Sequence, residues 1–102
     1  MDPVSAYTSA SSAWPTDFGD QIFELAGCPL GGGLPAGWTA EVETPPSHGT
    51  VTLNTTAAYG WRFTANAGAP GGGTPDPWTL KVTDPNGSVT RLTVPVELYS
   101  VD

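Results

Sequence analysis

Few side chains in this chain carry reactive chemistry. Cys28 is the only cysteine and His48 the only histidine, so one thiol and one imidazole are the sole pair available for nucleophile-and-base catalysis. Neither stands in a nucleophile motif. Cys28 reads as a small, partly buried hydrophobe in a loop, and His48 as a turn residue before Gly49. A lone cysteine forms no internal disulfide, and the Cys/His spacing of a zinc site is absent. Calcium chemistry would require Asp20, Asp76 and Asp84 to converge at one end of the fold. No Asp-x-Asp-x-Asp run supports that, so turn and cap roles are expected for them. The triplets Gly31-Gly32-Gly33 and Gly71-Gly72-Gly73 lack the Lys-Ser/Thr and following helix of a phosphate cradle, and read as loops. The expectation is a protein that is not an enzyme and that needs no cofactor or metal.

Aromatic residues are the remaining candidates for recognition, because their flat apolar faces anchor partners and sugars. Trp38, Trp61 and Trp78 fall on the inward phase of alternating segments, which assigns them to a core. Trp14 differs, since it precedes Pro15 in a polar stretch. With Tyr7 and Phe18 it forms the set of candidate partner-contacting residues.

A chain of 102 residues fits one domain. A domain of that size buries roughly two-thirds of the surface its unfolded chain exposes, enough for one core without covalent staples. Three Lys and Arg against ten Asp and Glu give a net charge of −7. Arg62, Lys81 and Arg91 are too few and too scattered to displace counterions along a nucleic-acid backbone, and an anionic membrane surface is disfavoured equally. No apolar run approaches the ~20 residues of a membrane-spanning helix. Met1-Asp2-Pro3-Val4-Ser5 lacks the basic and apolar regions of a signal peptide, which leads to the expectation of synthesis and release in the cytoplasm. Gly (13) and Pro (11) interrupt the chain too often for long helices, while the aromatic, Val and Leu residues supply a core.

The elements that hold these residues are read from period-two alternation. Residues 1–19 are Ser-, Thr- and Ala-rich and read as an extended N-terminal arm with room for a short first strand; residues 20–102 read as the domain. Phe23 and Leu25 share a face in a strand reading of residues 21–25. Trp38, Ala40 and Val42 oppose Thr39, Glu41 and Glu43, the pattern of a half-buried antiparallel strand. Val51 and Leu53 continue the inward phase, followed by Tyr59, Trp61, Phe63 and Ala65. After a long loop over 66–77, Trp78, Leu80 and Val82 mark the next inward face. Asp84-Pro85-Asn86-Gly87 predicts a turn joining two paired strands. The last strand carries Leu92, Val94, Val96 and Leu98 inward, and Pro95, which donates no ladder bond, is expected at a free edge or bulge. Six or seven short strands with turns between them predict an all-β antiparallel sandwich.

Three segments carry a family resemblance. Pro46-Ser47-His48-Gly49-Thr50-Val51 stands at a strand start, Tyr59-Gly60-Trp61-Arg62-Phe63-Thr64 is an aromatic strand, and Trp78-Thr79-Leu80-Lys81-Val82-Thr83-Asp84 precedes Asn86-Gly87. In order and spacing this stretch, about half the chain, resembles the immunoglobulin-like, cadherin-like domains of bacterial surface adhesins and phage virion proteins. Asp76-Pro77 precedes Trp78, a departure from the family's Asp beside the aromatic, so a calcium site is not carried over. The resemblance implies an immunoglobulin-like fold and a structural role in a virion, most specifically decoration of a bacteriophage capsid. Expected partners are the major capsid protein or other virion proteins, with self-association as a further possibility, reached through the arm and loops. The alternative it implies is a cell-surface or host-glycan adhesion module.

Overall fold

A computed structural model describes residues 2–19, 21–28, 34–54 and 60–102. Within them lie nine strands, β1 (Val4–Thr8), β2 (Trp14–Phe18), β3 (Thr39–Thr44), β4 (Gly49–Leu53), β5 (Trp61–Ala65), β6 (Thr74–Pro75), β7 (Trp78–Thr83), β8 (Val89–Val94) and β9 (Val96–Ser100), and one short helix, α1 (Gln21–Leu25). The strands form three three-stranded sheets in the orders β2-β5-β4, β3-β7-β8 and β1-β9-β6. The fold is all-β, in an arrangement compatible with a sandwich.

Alternation places the core where the sequence pattern puts it. Trp61, Phe63 and Ala65 of β5 are buried, as are Trp78, Leu80 and Val82 of β7 and Val94, Val96 and Leu98 of the last two strands. Ala40, Val42, Val51, Leu53 and Trp38 are half-buried against them. Tyr59 lies outside the described residues. The turn at 84–87 joins β7 to β8 as expected. Gly87 has φ 87 and its N–H donates to the Asp84 carbonyl at 3.0 Å, while the Asp84 carboxylate accepts the N–H groups of Asn86 and Ser88. This is a type I turn closed by a left-handed glycine, the chemistry of a three-residue hairpin loop. Pro95 directly follows β8, an edge strand of its sheet. It separates β8 from β9, at the point where the chain leaves β7 and pairs with β1.

Two expectations are corrected. Residues 21–25 form a helix rather than a strand. Ile22, Phe23 and Ala26 are buried while Leu25 is 56% exposed, so the inward positions follow helical spacing and not alternation. Gly27, with φ 93, ends the turn: its N–H donates to the Glu24 carbonyl and that of Cys28 to the Phe23 carbonyl, the paired bonds of a Schellman cap. The second correction concerns residues 1–19, which are not a separate arm. β1 runs parallel to β9 with Val4 opposite Val96 and Thr8 opposite Ser100, and β2 runs antiparallel to β5. The inward residues of β1 are Ala6 and Thr8, both buried. Small and hydroxyl side chains fit against a neighbouring strand without producing an apolar alternation.

Gly49 opens β4 against β5. A Cβ there would meet the Thr64 carbonyl oxygen and lie 2.9 Å from Phe63 Cε1. Backbone cannot retreat as a flexible side chain does, so Gly49→Ala should lose about 2 kcal/mol through forced displacement of the β4–β5 pair. Urea denaturation checks this; a loss below about 0.5 kcal/mol would contradict the close approach.

Candidate functional site

Cys28 and His48 do not form a catalytic pair. Cys28 is buried behind α1, where desolvation raises its thiol pKa and disfavours the thiolate that nucleophilic chemistry needs. His48 lies in the turn before β4, its backbone N–H donating to Asp76 and its carbonyl accepting from Asn66. No hydrogen bond joins the two side chains. Cys28 should therefore react with a thiol reagent at least a hundredfold more slowly in the native protein than in denaturant. Equal rates would place the thiol at the surface.

Asp76 and Asp84 are engaged in separate turns. Asp76 is buried, and its two carboxylate oxygens accept the Ser47 and His48 N–H groups at 2.6 and 2.9 Å. Asp84 holds its own turn, and Asp20 lies outside the described residues, as do Gly31, Gly32 and Gly33. Each cationic side chain is in an ion pair: Arg62 with Asp17 at 2.5 Å, Lys81 with Glu41 at 3.3 Å and Arg91 with Glu43 at 2.7 Å. Hydrogen bonds from Arg62 and Arg91 hold the carboxyls of Asp17 and Glu43 below their ordinary pKa. Such pairs add stability above roughly pH 4 that is lost as pH falls through the lowered folded-state values. Both acids are partly exposed to solvent, so salt screens them.

The three aromatic candidates separate. Phe18 stacks on Trp61 with ring centroids 4.1 Å apart and belongs to the core edge. Trp14, on the inward phase of β2, remains 38% exposed. Tyr7 points away from the core, 41% exposed, opposite Tyr99 of β9, itself 37% exposed. Alternation with the buried Ala6 and Thr8 puts Tyr7 on the outer face. Thr8 accepts the Val101 N–H and Val4 donates to the Pro95 carbonyl, so the even residues of β1 bond to β9. The Tyr7 N–H turns the other way and meets Thr16 Oγ1 at 3.4 Å.

Tyr7 and Tyr99 stand on a larger outer face. Two residues back along the same side are Ser5 and Glu97, which are register partners, with Pro75 opposite Glu97 on β6. Pro3, Pro75, Pro77, Pro95, Val96 and Glu97 line a groove of about 200 Å³. The loop before β6 supports Tyr99: Gly73, with φ 86, lies with its Cβ direction 3.7 Å from the tyrosine ring. Gly71 packs against Ser100 so closely that a Cβ would lie 2.5 Å from its backbone nitrogen. The second Gly triplet thus lets the loop cross the end of β9. Tyr99 and Glu97 escaped the sequence reading as site residues, although outward phase in the last strand marks both positions.

Comparison of the chain with protein-family models, curated proteins and solved structures found no match. Among the described residues, the outer face of the β1-β9-β6 sheet brings together two exposed tyrosines, a proline-walled groove and one carboxylate.

Proposed function

We propose that this chain is a non-enzymatic binding module of immunoglobulin-like topology and, within that class, a decoration protein that attaches to a bacteriophage head. Topology supports the immunoglobulin-like fold in this reading. One sheet has the order β2-β5-β4, a second β3-β7-β8, and β1 lies parallel to β9, which is compatible with a sandwich of this type. The observation that carries the binding role is the outer face of the β1-β9-β6 sheet, where Tyr7 and Tyr99 stand side by side and exposed. Exposed aromatics on regular strands, with rotamers restrained by neighbours, are low-entropy anchors for a protein partner. Attachment then runs through a face of the folded body, since the N-terminal segment is held in the sheets.

The test mixes purified protein with phage heads lacking it and measures co-sedimentation. Saturable binding at a fixed number of copies per head is expected, and absence of binding overturns the head assignment. Point variants rather than truncations map the contact, because the N-terminal segment supplies β1 and β2. Partial exposure of Trp14 favours a second reading, a glycan-binding adhesion module. Glycan-array binding lost on Trp14→Ala with folding intact would establish it.

A further inference from the structure

We infer that the outer face of the β1-β9-β6 sheet docks a basic segment of its protein partner, with an Arg or Lys side chain lying in the proline groove and its charge on Glu97. This rests on the binding-module reading and specifies the chemistry of the partner. Charge complementarity selects the occupant. The chain carries a net charge of −7, and all three of its cations are already committed to Asp17, Glu41 and Glu43. Glu97 is paired with none of them, and its carboxylate has no hydrogen-bond or ion-pair partner among the described residues. It is half-buried beside the apolar rings of Pro75 and Pro95. A partly desolvated carboxylate at an apolar wall suits a side chain with a long hydrocarbon stem and a cationic head. Two residues along, the exposed rings of Tyr7 and Tyr99 are available to a neighbouring cation of the same segment. Asp2, exposed next to Pro3, adds a second negative charge at the groove's end. A second copy of this chain is disfavoured, because it too carries a net charge of −7 and offers no uncommitted Lys or Arg among its described residues.

The probe is a capped Gly-Pro-Arg-Tyr-Gly peptide, with the Arg replaced by Glu as its control, titrated into isotopically labelled protein and followed by amide chemical shifts. Shifts should concentrate at Ser5, Tyr7, Glu97 and Tyr99. Binding should weaken roughly threefold to tenfold in Glu97→Gln and with added salt, and vanish in Glu97→Lys and for the Glu peptide. Tyr99→Ala, which alters no charge, should also weaken it several-fold. Shifts spread equally over Asp17, Glu41 and Glu43, or unchanged affinity in Glu97→Gln, overturn the inference. Heads are then offered wild type and Glu97→Lys after both are shown to melt alike. Equal attachment defeats this inference while leaving the head assignment standing. Peptide binding without attachment of wild type does the reverse.

Discussion

Trp61→Ala is expected to destabilise the protein by about 4 kcal/mol, which lowers Tm by roughly 15 to 30 °C for a domain of this size. Trp61 is fully buried at the middle of the core. Phe18 stacks on one side of it, the rings 16° from parallel, and Trp78 approaches at 5.1 Å in a tilted arrangement. Truncation removes both aromatic contacts and leaves a cavity bounded by β-strands, whose paired backbones collapse poorly into empty space. A domain has about 5–15 kcal/mol in total, so the loss takes a large share of it. Trp78→Phe should lose much less, since it retains a ring and removes a buried indole N–H that has no hydrogen-bond partner among the described residues. Thermal unfolding followed by circular dichroism measures both. A Trp61→Ala loss below about 1 kcal/mol would mean that the two sheets are not joined through this residue.

Asp76→Ala should lose about 3 kcal/mol, and Asp76→Asn about half of that. The carboxylate is 2% exposed, accepts two backbone N–H groups from the Ser47–His48 turn, and is fixed from behind by its own N–H, which donates to the Val96 carbonyl at 2.8 Å. It therefore ties the turn before β4 to the start of β7 and to β9. Bonds to an ionised acceptor each contribute more than neutral ones. Asn keeps the shape but turns one acceptor into a donor facing a donor. Urea denaturation of the three proteins should rank wild type above Asn above Ala. Equal loss for both variants would show that the second oxygen does not matter.

These two residues were unequally visible in the sequence. Trp61 is announced by alternation with Phe63 and Ala65, because a strand buried on one face repeats its apolar side chains every second residue. Asp76 sits in a loop between two prolines, and nothing local says that its carboxylate meets residues 47 and 48. The same distinction runs through the fold. β5, β7 and the long β8–β9 stretch were readable from period and turn chemistry. α1 was not, because five residues do not repeat a helical period, and only Gly27 marked its end. β1 was hidden by Ala6 and Thr8, and its parallel partner, β9, is at the other end of the chain. For the candidate site, Tyr7, Trp14 and Phe18 were visible as aromatics in a polar stretch, but sequence alone could not separate a core stacker from an exposed ring. Pairing across the sheet decides that, and it also brings Tyr99, Glu97 and Pro75 to Tyr7.

The reading as a whole depends on the N-terminal segment being a strand of the body that holds Tyr7 rigidly beside Tyr99. Amide hydrogen exchange of the native protein, resolved by residue, tests it. Ala6 and Thr8, whose N–H groups point into the β9 ladder, should be protected to within about tenfold of Leu80 in the core, with Ser5 exchanging much faster. Exchange at Ala6 and Thr8 at the rate of an unstructured peptide would contradict it, returning residues 1–19 to a free arm and dissolving the tyrosine face.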